Sequence, residues 1–168
     1  SLRTRGRIRS DKASRIRAVL RRRTSCSMKV RRSAFIGCSA GDTFDLIERA
    51  ENYPAFLPWC AGAVILERTD EIVAARLTFR HRGIEFEMTT RNPKRRPAWL
   101  AVRLEKGPFK RFEGDWRVTE LAVDACKIEF ELSYEFAGGL FDKVAGGVVE
   151  RISDQIVDAF ARRAESLR

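Results

Sequence analysis

The sequence predicts an α+β fold in which a curved antiparallel sheet of about seven strands wraps around one long C-terminal helix, with a hydrophobic cavity between them. Three observations carry this prediction. From residue 28 to residue 136, apolar and polar side chains alternate with the two-residue period of strands, in segments joined by turns that permit only antiparallel pairing. Each strand has one apolar and one charged face, so one side of the sheet has to be covered. Residues 140–166 form the only helical stretch long enough to cover it, ~40 Å at 1.5 Å per residue. A single helix does not usually fill the concave side of a curved sheet, and an apolar pocket is the natural result.

The 168 residues suffice for one domain, and a chain of this length buries enough surface to need no disulfide or metal staple. A hydrophobic fraction of 44% agrees with a packed core. No run approaches the ~18 consecutive apolar residues of a membrane span. The formal charge of +10 is unevenly spread: residues 1–27 hold ten Lys and Arg against Asp11 alone, a balance of +9, which leaves +1 for residues 28–168. All the aromatic residues lie in that nearly neutral remainder. Residues 1–27 therefore read as a basic, disordered or weakly helical extension, and 28–168 as the ligand-binding domain. Within the extension, Ser10 is placed to cap a short helix whose Ile16, Val19 and Leu20 share a face among arginines. The extension has three readings: an organelle transit peptide, a polybasic arm for anionic lipid or RNA, or upstream translated sequence ahead of a true start at Met28. A body at +1 carries no charge signature of DNA binding.

Val30 to Ile36 reads as the first strand, ending at Gly37. Ser39-Ala40-Gly41-Asp42 has capping-box form, with Asp42 replacing the usual Glu. It starts a helix with Phe44, Ile47 and Ala50 at helical spacing, which ends before Pro54. The proline-punctuated stretch Tyr53 to Cys60 reads as a short turn of helix and a loop. Residues 61–69 form the second strand, turned at Asp70-Glu71. In 72–80, Val73, Ala75, Leu77 and Phe79 share the apolar face, and the turn His81-Arg82-Gly83 follows. In 84–91, Ile84, Phe86, Met88 and Thr90 oppose Glu85, Glu87, Thr89 and Arg91. Residues 92–97 read as a loop. The strand 98–105 has no clear inward face, because Leu100, Val102 and Leu104 compete with Trp99 and Ala101. Phe112, Gly114, Trp116 and Val118 face inward in 111–121. Residues 126–136 alternate most cleanly, with Cys126, Ile128, Phe130, Leu132, Tyr134 and Phe136 on the apolar side. The helix 140–166 carries Val148, Ile152, Ile156, Val157 and Phe160 as its apolar stripe. Gly146-Gly147 inside it, each unfavourable by roughly 1 kcal/mol relative to Ala, imply a bend or a close backbone approach.

Cys26, Cys38, Cys60 and Cys126 are scattered with no C-x-x-C, so neither a zinc ribbon nor a thioredoxin-type site is signalled. They read as free thiols in a reducing compartment. His81 is the only histidine, so a Ser-His-Asp triad or a histidine metal site would have to use it. Between Arg80 and Arg82 in a turn, it reads as a solvated residue. The carboxylate pairs Glu85/Glu87 and Glu129/Glu131 face outward as salt-bridge partners. No catalytic constellation and no metal site is predicted, and no cofactor is required.

Four segments carry a resemblance that covers Met28 to the end of the chain. They are Tyr53-Pro54-Ala55-Phe56-Leu57-Pro58-Trp59-Cys60, Gly107-Pro108-Phe109-Lys110 leading to Gly114-Asp115-Trp116, Ala125-Cys126-Lys127-Ile128-Glu129-Phe130, and Ala159-Phe160-Ala161-Arg162-Arg163-Ala164. Together they resemble the START-like, helix-grip superfamily of polyketide cyclases/dehydrases, and within it the coenzyme Q-binding and ribosome-association toxin branches. Pro58-Trp59-Cys60 is more similar to the coenzyme Q branch, while Gly107-Pro108-Phe109-Lys110 is shared with the toxin branch. The resemblance implies a non-enzymatic chaperone or carrier of ubiquinone or a similar polyprenyl lipid, supporting respiratory electron transport. Its setting would be intracellular, in the cytoplasm or at the cytoplasmic face of the inner membrane, or on the mitochondrial matrix side if residues 1–27 are a transit peptide. For the toxin branch it implies binding to the large ribosomal subunit and a block of subunit joining. A third alternative is a cyclase or dehydratase enzyme, which uses the same fold, and fold alone does not decide function.

The candidate ligand site is the cavity and its lip: Tyr53, Phe56, Leu57 and Trp59 from the loop, Val73, Leu77, Phe79, Phe86, Phe112, Trp116, Phe130 and Tyr134 from the strands, and Val148 and Ile152 from the helix. Phe56, Leu57 and Trp59 would touch a prenyl chain or dip into a membrane surface; alternatively they staple the first helix onto the sheet. The inward aromatics read either as ligand contacts or as plain core. Trp116 and Tyr134 carry polar tips that would meet a quinone head group or a water. Lys110 and Arg111 are candidate contacts for ribosomal or other phosphate. Cys60 and Cys126 read as small inert hydrophobes. Deleting residues 1–27 is expected to leave folding and ligand binding intact; a truncated protein that lost the cooperative thermal transition of the full chain would refute the division at Met28.

Overall fold

The computed structural model describes residues 27–168; residues 1–26 of the basic extension, with Cys26 and the stretch expected to form a Ser10-capped helix, lie outside the described residues. Seven strands form one antiparallel sheet in the spatial order β1 (Met28–Ile36), β7 (Ala125–Phe136), β6 (Phe109–Ala122), β5 (Trp99–Lys106), β4 (Ile84–Arg95), β3 (Ile72–His81) and β2 (Cys60–Arg68). Strands β2 to β7 follow one another as hairpins, and β1 adds to the last of them. Between β1 and β2 come helix α1 (Ala40–Glu48) and a 3-10 turn (Ala50–Ala55), and helix α2 (Leu140–Ser166) lies across the concave face. Register faults between Ile65 and Glu67 in β2 and between Glu120 and Ala122 in β6 add local bend to the sheet. No helix among the described residues is long and apolar enough to cross a membrane.

The predicted elements are present, with instructive differences. Ser39 caps the helix, but the full box does not form: the Asp42 N–H donates to Ser39 Oγ at 3.1 Å, and the shorter Asp42 carboxylate accepts from the Ser39 hydroxyl at 2.8 Å and not from its backbone N–H. Pro54 sits inside the 3-10 turn instead of beyond the helical segment. His81 is the last residue of β3, so the turn shrinks to Arg82-Gly83, with φ of 50° and 79°. Two consecutive positive φ values match a two-residue hairpin turn twisted like its strands. Strand β4 does not end at Arg91 but runs through Pro93 to Arg95. Pro93 has no N–H, and pairing with β5 lapses between Thr90↔Leu104 and Lys94↔Leu100. Within that gap Asn92 Oδ1 accepts the Arg103 N–H at 3.1 Å. The ambiguous strand β5 turns Leu100 inward and leaves Trp99 39% exposed.

Helix α2 runs unbroken through Gly146-Gly147. No close approach explains the pair: a Cβ on Gly147 would meet nothing within 4 Å, and one on Gly146 only a Phe136 ring carbon at 3.9 Å. Two aromatic anchors hold α2 down. Near its end Phe160, fully buried, packs edge-on against Tyr53 (5.3 Å), Phe56 (5.2 Å) and Trp116 (5.0 Å). Near its start Phe141 meets Phe86 (5.5 Å) and Phe136 (5.9 Å). The outward carboxylates are salt-bridged as expected, Glu85 to Arg80, Glu87 to Arg76, Glu129 to Lys127 and Glu131 to Arg31. Cys60 and Cys126 are buried, their thiols pushed up by that burial, and Cys126 Sγ donates to Thr43 Oγ1 at 3.3 Å.

Phe160→Ala is expected to destabilise the fold by about 3–5 kcal/mol in denaturant melts. Gly147→Ala is expected to stabilise it by up to about 1 kcal/mol, because Cβ finds open space in a helical position.

Candidate functional site

Period-2 alternation turns one face of every strand toward α2, and the helix meets that face without filling it. The result is an apolar cavity of about 100 Å³. Its walls come from Ile47 and Ala50 beside α1, Tyr53 in the 3-10 turn, Trp59 before β2, and Val73, Ala75, Leu77 and Phe79 of β3. Phe86 and Met88 of β4, Leu100 and Val102 of β5, Phe109, Phe112 and Trp116 of β6, and Phe130 and Leu132 of β7 continue them. Helix α2 closes the space with Val149, Ile152, Ser153 and Ile156. Aromatic stacking stiffens the wall: Trp59 lies on Phe79 (5.6 Å), Phe79 on Phe86 (4.9 Å), and Trp116 against Phe130 (4.5 Å).

Ten of the fourteen predicted cavity and lip residues line this space: Tyr53, Trp59, Val73, Leu77, Phe79, Phe86, Phe112, Trp116, Phe130 and Ile152. Phe56, Leu57, Tyr134 and Val148 do not. Phe56 packs on Tyr53 and Phe160 with the Arg163 guanidinium 5.5 Å above its ring, and Leu57 is 0% exposed. That segment is a staple between the 3-10 turn and α2, not a lip reaching outward. Tyr134 is buried against Phe109 (6.3 Å) and Phe136 (5.5 Å). Burial and the nearby Glu150 and Asp154 carboxylates push its phenol up. Val148 is buried but does not line the cavity: the residues of α2 turned to it are 149, 152, 153 and 156, which keep Ile152 and Ile156 of the predicted stripe and put Val149 in place of Val148. Lys110 and Arg111 lie within β6, salt-bridged to Glu135 (3.1 Å) and Glu113 (2.9 Å).

Four polar residues also line the cavity: Glu48, Thr90, Asn92 and Ser153. Glu48 Oε1 accepts from both Arg68 Nε and Lys94 Nζ at 2.9 Å. The Tyr53 hydroxyl donates to the Ile47 carbonyl, and burial raises its pKa. Thr90 follows from the alternation in β4; Asn92 would have followed by the same rule had Pro93 not signalled a loop. Glu48 and Ser153 left no signal in a linear pattern, since only the tertiary fold turns them to this space. Among the described residues no group of three His, Cys, Asp or Glu is placed to hold a metal ion.

Comparison with known proteins agrees with this architecture. The chain is 35% identical over 141 residues to the ribosome association toxin RatA of Pseudomonas aeruginosa, covering 84% of this chain and 98% of that protein. It is 24% identical over 141 residues to the coenzyme Q-binding protein COQ10 homolog B of Xenopus laevis, covering 79% of this chain and 56% of the other. Among solved structures, the Zhui aromatase/cyclase of a Streptomyces species superposes with a TM-score of 0.72 at 20% identity, over 83% of this chain and 94% of that one. At that identity it speaks for the fold alone. Residues 36–161 match the family described as polyketide cyclase / dehydrase and lipid transport. An antiparallel sheet wrapped around one helix, enclosing an apolar cavity and matched by that family over most of its length, makes this chain a member of the START-like polyketide cyclase/dehydrase and lipid transport family.

Proposed function

We propose that the chain binds ubiquinone, or a polyprenyl lipid of similar form, in the cavity under α2 and acts as its carrier or chaperone. The observation that carries this reading is the wall itself: an almost wholly apolar, aromatic-rich space with a small polar group of residues. Ligand pockets commonly measure ~300–1,000 Å³, so a cavity of about 100 Å³ has to enlarge to admit a quinone ring. Glycine pairs bracket the start of α2: Gly138-Gly139, with φ of 102° and 95°, and Gly146-Gly147. Between them Leu140 and Val144 are 78% and 47% exposed, an apolar surface that a membrane holding the lipid would meet. Binding without turnover is the preferred reading, because Glu48, the only acid among the lining residues, has one oxygen engaged by two cations.

A second reading, association with the ribosome, is favoured by the 35% identity to a protein named for that property over nearly its whole length. Organic extraction of the freshly purified chain followed by mass spectrometry separates the two. Co-purifying isoprenoid quinone is the expected result, and its absence, together with failure to take up added quinone, would contradict the carrier reading. Co-sedimentation with large ribosomal subunits at low salt, lost at high salt, is what the second reading requires.

A further inference from the structure

Three of the four polar residues of the cavity gather near one end of β4: Thr90 and Asn92 on the strand, and Glu48 through its ion pair with Lys94. Thr90 and Asn92 are alternate residues of β4, so both side chains leave the strand on the cavity side. They are 2% and 8% exposed, and Glu48 and Ser153 at 7% and 1% face the same space. Phe86 lies six residues before Asn92 on the same strand, ~20 Å away at ~3.4 Å per residue. The cavity wall along β4 thus has an aromatic end and a polar end.

The hydrogen bonds of the polar end leave a specific capacity. Asn92 Oδ1 is taken by the Arg103 N–H, which fixes the amide so that its NH2 is the free half. The Thr90 hydroxyl and the Asn92 NH2 form no hydrogen bond among the described residues. Ser153 spends its proton on the Val149 carbonyl at 2.7 Å. Glu48 and Glu51 are matched by Lys94 and Arg68, so the surrounding charges balance. Two donors on buried residues, facing the cavity in a charge-balanced setting, suit a neutral acceptor, since a carboxylate head would bring an uncompensated charge into the cavity.

We propose that Thr90 and Asn92 form a head-group subsite that holds a neutral carbonyl oxygen, ketone or quinone, of an elongated apolar ligand whose tail runs along β4 toward Phe86. This rests on the carrier reading of the cavity and adds to it the polarity and orientation of the ligand. Thr90→Val removes the hydroxyl at constant shape, and Asn92→Leu removes the amide donor at similar volume without adding a charge, its loss of the acceptor for the Arg103 N–H being read from the thermal melt and the decylbenzene control. Calorimetric titrations of the full chain and both variants would use decylbenzoquinone, decylbenzene and decanoate, with thermal melts to confirm folding. The wild type is expected to prefer the quinone to the other two, and each substitution to weaken quinone binding about three- to tenfold, the effect of one lost neutral hydrogen bond. Decylbenzene binding should stay within twofold throughout. Equal binding of quinone and decylbenzene, or variants that weaken both alike, would overturn the subsite while leaving the apolar cavity as a binding site. Tighter binding of decanoate would overturn it in favour of an anion site, and no binding of any probe would remove the subsite and the carrier reading together.

Discussion

The edge-on packing of Phe160 against Tyr53, Phe56 and Trp116 fixes where α2 lies, and the cavity exists only because α2 lies there. A sheet with one apolar face must cover it, and among the described residues α2 is the one helix long enough to span it, while α1 and the 3-10 turn contribute Ile47, Glu48, Ala50 and Tyr53. Pinning α2 at Phe160 and Phe141 lets Val149, Ile152 and Ile156 approach the sheet without filling the space between. The rings that pin α2 touch rings that also line the cavity: Phe160 meets Tyr53 and Trp116, and Phe141 meets Phe86. Stability and ligand space are therefore built from the same aromatic side chains.

The polar end of the cavity is held by a different force. Glu48 reaches the interior from α1 and is held in place by ion pairs to Lys94 of β4 and Arg68 of β2. A buried ion pair of this kind adds little net stability, but loss of one partner leaves a costly unpaired charge. It therefore ties α1, β2 and β4 into one arrangement. The Asn92 amide depends on the same strand: the pairing gap around Pro93 lets its side chain accept the Arg103 N–H, which orients the amide. A local defect in the ladder thus becomes a fixed donor in the cavity.

Most of the architecture is legible in the residues because it rests on periodicity. The inward faces of β3, β6 and β7, and with them Phe79, Trp116 and Phe130, follow from alternation alone. What periodicity could not supply is instructive. Pro93 reads as a strand end, yet an irregular stretch of β4 absorbs it and carries Asn92 into the cavity. Phe56 and Leu57 read either as a lip, being apolar side chains in a loop, or as a staple, and their packing beneath α2 makes them the staple. Of the α2 stripe, Ile152 and Ile156 line the cavity and Val148 does not, because Val148 and Val149 are both apolar and both buried, and only the docking of the helix selects Val149. Lys110 looks like a free cation in the linear sequence, while the pairing of β6 with β7 sets it beside Glu135.

The central claim is that the interior between the sheet and α2, and not the outer surface, receives the ligand. Photolabelling with a diazirine-bearing polyprenyl quinone, followed by peptide mapping, tests it most directly. The account predicts crosslinks concentrated on the inward residues of β3, β4 and β6 and on 149–156 of α2, competed by unlabelled quinone. Labelling confined to the outer sheet face, or no more than in heat-unfolded protein, would contradict it.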